Sequence, residues 1–453
     1  MRKTLLWGLS LLLLLTSCKK EKNTEEMTEV AATQEIEQET IDCGAFCNPP
    51  EVSYVLPEDA CNLSSQKTMN CFAWSSFLAL NWKAGGQGVP DSTATASTYG
   101  TPGDFSPTVW ESCPSVDAIF SAQGKSLKAL NPLTSIKRIH KLSKIGLLLN
   151  KVNKKSLKAS KDSKLEEIFQ AKGTWLTDQG GNLVWYEVLV DMTEADFINA
   201  NQLYTMANLK NYASQHNGVW LPTGSIEFKA AWKVVPEKEV DSVQKYYKMS
   251  QALVPTVTGF DANNQPIYGK YTQQYLALVG LHIIRKTSLA SQFVWMTFEH
   301  VHNAPTAGQV DNSVNYSFFN PNSTAIPNQS PVPNKDSLST PVQVVRIANN
   351  ALTTDIQTLN AQVQDLIRQS NPQSVWQYYQ LVNVQWPQNP VQDGNNNKQI
   401  PLQMGGITPS NIANTTMETY AQSTQCMSCH QYGSINGTQY PTDYSFVFLQ
   451  VKQ

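Results

Sequence analysis

Two cysteines and a histidine late in the chain have a spacing that can carry covalent cofactor chemistry. Cys426, Met427, Ser428, Cys429 and His430 form a C-x-x-C-H motif. Two thiols three positions apart can lie on one helical turn and add to the two vinyl groups of a haem, and the adjacent imidazole can then reach the iron. The chain has one such motif, so the sequence predicts one covalent haem c, held by Cys426 and Cys429, with His430 as the proximal iron ligand.

The same pair of cysteines could instead form a redox or a zinc site, and both alternatives agree less well with the sequence. A thioredoxin-like C-x-x-C pair lies near the start of a βαβ unit, whereas this pair lies late in the chain without one. A structural zinc site needs a second pair of ligands, and Cys43-x3-Cys47 is a poor candidate for it. Haem attachment is therefore the interpretation that the motif favours.

The second axial position of the iron has no ligand downstream of the motif. After His430 the sequence contains no Met and no further His, and Met427 lies inside the motif, from where it cannot cross to the other haem face. We therefore expect the distal ligand to come from upstream, or the position to be open. A thioether would raise the reduction potential, an imidazole would lower it, and an open position would permit ligand chemistry. The upstream candidates are Met404, Met417, His282, His300 and His302.

The first residues are typical of the export signal of a bacterial lipoprotein. A basic start precedes the apolar run Leu5–Leu15, which is too short to span a bilayer comfortably and ends in small residues directly before Cys18. We expect residues 1–17 to be a signal peptide and Cys18 to carry the lipid, with a plain secretory signal as the alternative. The polar stretch 18–42 is expected to be a disordered tether. The acyl chains alone would then anchor the protein in the envelope, on the periplasmic or surface side of the outer membrane.

Composition and charge describe a folded protein. Hydrophobic residues make up 41% of the chain, charged residues 15%, and the formal net charge is -2, which argues against disorder and against a dedicated nucleic-acid binder. Residues 125–164 are rich in lysine and almost free of acidic residues. We interpret this segment as a partly helical surface insertion, or as a docking patch for an acidic redox partner on the cell envelope.

Export places the other cysteines in an oxidising compartment, where pairs form disulfides or carry cofactors. Five cysteines remain once the lipid and the motif are assigned, so at most two disulfides and one thiol are expected, with the connectivity open. These five are Cys43, Cys47, Cys61, Cys71 and Cys113.

Helical and strand patterns both occur among the elements that must position the motif. Helices are predicted for Cys71–Trp82, for a short segment near Trp110, for Thr193–Gln215 and for Thr340–Gln369. Strands are predicted for Ser225–Val235, Tyr275–Ile284, Phe293–Val301 and Tyr444–Leu449, and a loop for Trp386–Lys398. The predicted fold is α+β: an antiparallel β-sheet core with added helices and a short C-terminal haem-binding helix followed by a closing strand. Residues 43–400 would form the globular body, and residues 401–453 a haem segment packed on it.

Several segments resemble an uncharacterised family of exported bacterial monohaem proteins, which is usually labelled only as haem-binding or cytochrome c-like. The resemblance covers most of the chain outside residues 125–164 and implies haem binding. The segments that carry it are Asn70–Trp82, Gly224–Trp232, Trp295–His300, Asn414–Tyr420 and the motif Cys426–His430.

A more distant resemblance concerns the fold. The spacings Gly224-x4-Lys229 and His282-x3-Lys286, the late motif and the segment Asp443–Phe448 are similar to two groups of small periplasmic monohaem cytochromes. These groups are the hydroxylamine-oxidising cytochromes with a lysine-crosslinked haem and the beta class of cytochromes c-prime. The resemblance implies an antiparallel sheet around the haem and an open distal side. It assigns the crosslinking lysine to no residue of this chain, which is also far longer.

Three functions agree with these features. The first is an electron-transfer cytochrome of the cell envelope. The second is a haem enzyme or small-ligand binder with an open distal site, acting on a peroxide, a nitrogen oxide or hydroxylamine. The third is an envelope interaction lipoprotein in which the haem is structural. A chain of 453 residues is large for a simple shuttle with one haem, which keeps the second and third functions open.

Overall fold

One long strand organises the computed structural model of this protein. The structure describes residues 41–44, 47–122, 137–139, 174–262, 264–387, 390, 407–408, 412–431 and 433–451, all of which belong to one compact unit that begins at Ile41. The predicted signal peptide, Cys18, Met404, most of the tether and most of the basic segment lie outside the described residues. No helix in the described ranges is long and apolar enough to cross a bilayer.

An antiparallel sheet forms the core of this unit. Its strands follow the order β10-β9-β8-β7-β5-β4, with β6 paired to β7 and the short β3 paired in parallel to β6. A separate small hairpin joins β1 to β2. The strands are β1 (Ala84–Gly86), β2 (Val89–Pro90), β3 (Lys137–Arg138), β4 (Val184–Val190), β5 (Ile226–Val235), β6 (Met249–Phe260), β7 (Pro266–Arg285), β8 (Val294–His300), β9 (Tyr379–Pro387) and β10 (Ile407–Thr408).

Strand β7 is long enough to pair with three neighbouring strands. Its first half pairs with β6, and its second half pairs with β5 on one edge and β8 on the other. Successive side chains of a strand point to opposite faces of the sheet. On one face Phe228, Leu281 and Phe298 join a large hydrophobic cluster that includes the first helix. The other face carries Lys229, His282 and polar neighbours, and the C-terminal segment lies against it.

Side-chain caps fix where the longer helices begin. Ser65, Asp191, Thr205 and Thr353 each have extended backbone and accept a hydrogen bond from a backbone N–H of the first turn. The helices are α1 (Gln66–Leu80), α2 (Val116–Ala122), α3 (Met192–Ala200), α4 (Met206–His216), α5 (Val240–Val243), α6 (Thr354–Ser370) and α7 (Cys426–His430). Short 3₁₀ turns occur at Ala96–Thr98, Trp110–Ser112, Glu237–Glu239, Ala348–Asn350, Val375–Tyr378 and Val447–Gln450.

The α+β class with an antiparallel sheet is confirmed, and so are the three predicted central strands, which correspond to β5, β7 and β8. The helix predicted from Cys71 is also present and begins earlier, at Gln66. The segment near Trp110 is a 3₁₀ turn. The strands β4, β6 and β9 were not predicted. The start of the predicted Trp386–Lys398 loop belongs to β9, and residues 391–398 lie outside the described residues.

Two predicted helices are wrong in extent. The single helix over Thr193–Gln215 is divided into α3 and α4, because Gln202 has a positive φ of 53° and Thr205 caps a new helix. The helix predicted from Thr340 begins only at Thr354. Upstream of it, backbone N–H groups bond to other loops instead, that of Val344 to the Phe318 carbonyl and that of Arg346 to the Pro305 carbonyl.

The predicted closing strand over Tyr444–Leu449 is also wrong. Asp443 and Tyr444 have positive φ values of 51° and 65°, and the chain continues into the 3₁₀ turn Val447–Gln450. The side chains of Tyr444, Val447 and Phe448 are all buried, so the apolar run reflects burial on several sides rather than a strand face. This turn brings the carbonyl of Tyr444 to the motif.

The five remaining cysteines form two disulfides, Cys43–Cys71 and Cys47–Cys61, and Cys113 stays a buried thiol. The predicted maximum of two disulfides and one thiol is therefore confirmed. The first disulfide ties the segment after the predicted tether to α1.

One lysine of the basic segment, Lys137, lies among the described residues, and its amine is paired inside the fold rather than turned toward another protein. The Lys137 Nζ lies 3.5 Å from Glu111 Oε1, 3.0 Å from Glu187 Oε2 and 4.3 Å from the centroid of the Trp232 ring. Because Glu111 and Glu187 balance its charge inside the fold, Lys137 is not part of a docking patch. All other lysines of this segment lie outside the described residues.

Candidate haem-attachment site

The C-x-x-C-H motif forms the short helix α7, which packs on the face of the sheet that carries Lys229 and His282. The backbone N–H of Met427 donates to Gln385 Oε1 of β9 at 2.9 Å, and the Met427 side chain is fully buried in the core. Cys426 and Cys429 lie one helical turn apart and are half-buried. The helix is therefore anchored through Met427, while both thiols stay near the surface.

The hydrogen bonds of His430 determine which ring nitrogen carries its lone pair. The Nδ1 atom lies 2.7 Å from the carbonyl oxygen of Tyr444, which can only accept, so Nδ1 must carry the proton in the neutral ring. The lone pair is then on Nε2, which lies 3.1 Å from Lys229 Nζ. A backbone carbonyl that fixes the tautomer in this way is the usual support of a metal-binding histidine.

Aromatic rings and the sheet enclose this imidazole. The ring of His430 is 4.4 Å from that of Trp295 and 4.3 Å from that of Phe446, measured between centroids, and His430 is buried. Lys229 extends from the central strand β5, directly opposite His282 of β7. The register of β5 and β7 thus places the amine of Lys229 in front of the Nε2 lone pair.

The side chains at this helix fit an attached haem, provided that the Lys229 amine can move away from His430 Nε2. The two thiols and an imidazole with its lone pair at Nε2 are the donors that such a group needs. A first-row metal ion binds an imidazole nitrogen at about 2.0–2.1 Å, so a metal between Nε2 and another nitrogen would need about 4 Å. The observed 3.1 Å is too short. For His430 Nε2 to hold an iron ion, the Lys229 amine would therefore have to move aside.

Two buried polar atoms on this face lack a hydrogen-bond partner in the described part of the chain. Thr297 lies beside His282 in the sheet, and its Oγ1 atom has no hydrogen-bond partner among the described residues. The same holds for Oε2 of Glu227, which lies two positions before Lys229 on the same face of β5. Such orphaned groups are rare in proteins and call for a specific explanation.

His282 is a described distal candidate that shares a neighbour, Lys229, with His430 of the motif. Its Nε2 atom lies 3.4 Å from Oε2 of Glu418, which also accepts the backbone N–H of Asn414 at 2.9 Å. Since Lys229 is both its cross-strand neighbour and the contact of His430, His282 belongs to the same polar cluster. It contacts the C-terminal segment directly.

Two other described candidates, His300 and Met417, make their contacts away from the motif. His300 stacks on Tyr247 at 3.7 Å, its Nε2 lies 3.1 Å from the Tyr246 carbonyl, and its Nδ1 accepts the N–H of His302. Both of its ring nitrogens are therefore used on the face opposite Glu299. Met417 is buried in a separate hydrophobic cluster with Tyr186.

Two buried carboxyl groups lie on the same side of the sheet. Glu194 of α3 is fully buried, and neither of its carboxyl oxygens has a hydrogen-bond partner in the described part of the chain. Burial raises the pKa of Glu194 well above its ordinary value of 4.5, and the nearby Glu227, Asp191 and Asp443 raise it further, against the effect of Lys229. Burial also raises the pKa of Glu227. Burial therefore favours the protonated form of Glu194.

This raised pKa predicts a pH-dependent effect of Glu194→Gln. Wild-type Glu194 contributes its stability in the protonated form, below the unfolded-state pKa of about 4.5, and loses it as pH rises toward the folded-state pKa. Glutamine stays neutral at every pH. We expect the variant to match the wild type at pH 4 and to melt about 2 °C or more higher at pH 8. Thermal melting curves between pH 4 and pH 8 measure this, with the exposed Glu237→Gln as control. An equal shift at both pH values would contradict the prediction.

An ion pair attaches the chain upstream of the motif to the sheet. The fully buried Glu299 of β8 pairs with Arg346 and accepts both the N–H, at 2.9 Å, and the hydroxyl, at 2.7 Å, of Thr415. Arg346 also donates to the carbonyl oxygen of Ala413 at 3.0 Å. A second buried pair, Lys286–Asp443, holds the chain after the motif.

Sequence reasoning found the motif and His282 but missed the residues around them. Lys229 was noted only for its spacing from Gly224, and Glu194, Glu227 and Glu418 were not singled out. Their signal is weak, because a carboxylate or lysine within an apolar strand or helix shows its partner only after folding. Among the described residues, no cluster of three or more His, Cys, Asp or Glu side chains is arranged to hold a metal ion without a cofactor.

Comparison with known proteins adds no relative: no protein-family model, no curated protein and no solved structure matches this chain.

Proposed function

We propose that this chain is a monohaem c-type cytochrome of the bacterial cell envelope that transfers electrons. Cys426 and Cys429 would hold the haem through thioether bonds, and His430 would be its proximal ligand. The observation that carries the proposal is the fixed tautomer of His430 on the motif helix: Nδ1 lies 2.7 Å from the Tyr444 carbonyl, which leaves the lone pair at Nε2.

The surrounding residues support this assignment in distinct ways. A bound haem supplies one-electron redox chemistry, whose potential depends on axial ligands, burial and nearby charge. Trp295 and Phe446 pack beside the His430 ring and exclude water from it. Gln385 fixes the helix by accepting the N–H of Met427, which keeps the imidazole in place. A rigid, dry surrounding of this kind suits electron transfer, because little must rearrange when the charge changes.

A second candidate function is small-ligand chemistry at an open iron, on a peroxide, a nitrogen oxide or hydroxylamine. The observation that favours it is the set of ionisable side chains on the side of His430 Nε2, where Lys229 is in contact and His282 pairs with Glu418. Such groups can hold and pass protons to a bound ligand. The two functions differ in whether the distal position is closed by a protein ligand.

Optical spectra with and without carbon monoxide distinguish these functions. If the site is closed for electron transfer, we expect a low-spin ferrous spectrum that carbon monoxide does not change. His282 is the candidate ligand that shares Lys229 as a neighbour with His430, so His282→Ala should yield a high-spin ferrous form that binds carbon monoxide fully. The control is His302→Ala, which changes a half-buried side chain at the far end of β8. A wild-type protein that binds carbon monoxide would reject the closed site and support ligand chemistry.

The location and partners follow from the same proposal. Lipid on Cys18 would anchor the protein in the outer membrane, on its periplasmic or surface side, without any other membrane contact. Its partner would be a redox protein of the envelope. The basic segment 125–164 could dock an acidic surface of that partner, but without Lys137, which is paired inside the fold. Fractionation of cells, with the protein in the detergent-solubilised membrane fraction, tests the anchor.

A further inference from the structure

Asparagine is followed directly by glycine at two places in the chain, Asn217–Gly218 and Asn436–Gly437. In such a pair the backbone nitrogen of the glycine can attack the side-chain amide of the asparagine, because glycine has no Cβ atom to hinder the approach. We propose that Asn436 is a site of spontaneous deamidation in the folded protein, whereas the fold protects Asn217. This proposal does not depend on haem binding.

The reaction at Asn436 needs only water. The nitrogen of Gly437 gives up its proton to solvent and forms a bond to Cγ of Asn436, and the side-chain nitrogen leaves as ammonia. Water then opens the five-membered imide at one of its two carbonyl groups. The product is either aspartate or isoaspartate, in which the backbone runs through the former side chain. The glycine N–H must be free of a hydrogen bond, and the turn must have room to relax.

The surroundings of Asn436 meet both requirements. Asn436 and Gly437 are the central residues of a turn, which the N–H of Thr438 closes by donating to the Ile435 carbonyl at 3.0 Å. Neither the Gly437 N–H nor the Asn436 side chain forms a hydrogen bond with any described residue. Gly437 is exposed, and no atom lies within 4 Å of the place that a Cβ atom would take. The Gly437 nitrogen is therefore available for attack.

Asn217 has the same neighbour in a different environment. It follows α4 in the left-handed conformation, with a φ of 57°, and the N–H of Gly218 donates to the Ala213 carbonyl at 2.9 Å. Gly218 is buried, and a Cβ atom there would lie 2.9 Å from Pro441 Cγ. The Gly218 nitrogen must lose its hydrogen bond before it can react, which slows the reaction roughly tenfold or more.

Deamidation of Asn436 would change both charge and backbone close to the motif. Residues 419–442, which include the motif, contain no Asp, Glu, Lys or Arg, so the product would carry the first charge of this segment. Isoaspartate also lengthens the backbone of the turn. The chain continues from there to Pro441, whose carbonyl accepts the Val219 N–H at 2.9 Å, and to Tyr444, whose carbonyl contacts His430.

Peptide mapping of the intact purified protein, incubated for several weeks at about 37 °C and pH 8, tests this proposal. Mass spectrometry detects the gain of about 1 Da per deamidated site, and chromatography separates aspartate from isoaspartate. We expect the product at Asn436 to form at least about ten times faster than that at Asn217. The rate at Asn436 should fall at pH 7, because less of the Gly437 nitrogen is deprotonated. Asn436→Gln should remove this product, since glutamine would have to close a larger ring.

The matched control is the same protein unfolded in guanidinium chloride. Both asparagines precede glycine, so both should deamidate at similar rates once the fold is lost. Because mapping is done on the wild type, misfolding of a variant cannot obscure the result. The proposal is overturned if Asn217 reacts as fast as Asn436 in the folded protein. It is also overturned if Asn436 reacts only after unfolding.

Discussion

Replacing Cys426 and Cys429 together with alanine should leave a folded protein that retains no haem after acid-acetone extraction. The wild type should retain one haem per chain, because thioether bonds survive denaturation and the chain has one motif. Both thiols are half-buried, and the helix is anchored by Met427 through its buried side chain and its bond to Gln385. Alanine also favours helix, so loss of haem would report lost attachment rather than unfolding. Haem staining of denaturing gels and the pyridine haemochrome spectrum measure the effect.

Cys113→Ala provides the matched control for this experiment. Cys113 is also a thiol, but it is buried beside Val109 and outside the motif, so haem retention should not change. His430→Ala should alter the absorption spectrum while the thioether bonds persist. A matured wild-type protein from which extraction removes all haem would refute covalent attachment. Far-UV circular dichroism of each variant shows whether the fold is intact.

Replacing Arg346 with methionine should lower the free energy of unfolding by about 3–5 kcal/mol, the usual cost of leaving one partner of a buried ion pair. Arg346 is 2% exposed, and its loss would leave the carboxylate of Glu299 without a counter-charge. It would also release the Ala413 carbonyl, next to the residues that lead to the motif. Urea unfolding curves of wild type and variant, under identical conditions, measure the difference.

Two further variants make this prediction specific. Arg368→Met removes a similar pair with Asp365 that is exposed on α6, and should cost less than about 1 kcal/mol. The double variant Arg346→Met/Glu299→Leu removes both buried charges and should lose less stability than the sum of the two single variants. If Arg346→Met were as mild as Arg368→Met, the buried pair would not hold the C-terminal segment on the sheet.

The motif helix, three strands and the limit on disulfides could be predicted from the sequence, because each depends on a local pattern or on a count of residues. The C-x-x-C-H spacing identifies two thiols and an imidazole on one helical turn, and α7 has that conformation over Cys426–His430. Strands β5, β7 and β8 were readable because apolar and aromatic residues recur there in runs of strand length, in part alternating with polar ones. The upper limit of two disulfides followed from counting cysteines, and both form. These features need few residues, and their spacing reflects the geometry of a helix or a strand.

The residues around the His430 imidazole could not be predicted from the sequence, because they come from distant parts of the chain. Lys229 and His430 are 201 positions apart, and no local pattern predicts that their nitrogen atoms lie 3.1 Å from each other. The register of β5 against β7 fixes which side chains share a face, and a shift by one residue would turn Lys229 away. The turn at Tyr444 was predicted as a strand because it lies in a short apolar run rich in aromatic residues, a pattern that a strand and a turn buried on several sides share. The Tyr444 carbonyl sets the tautomer of His430, so the ring nitrogen that carries the lone pair depends on this turn. The positive φ values of the turn reflect its burial in the folded chain rather than its local sequence.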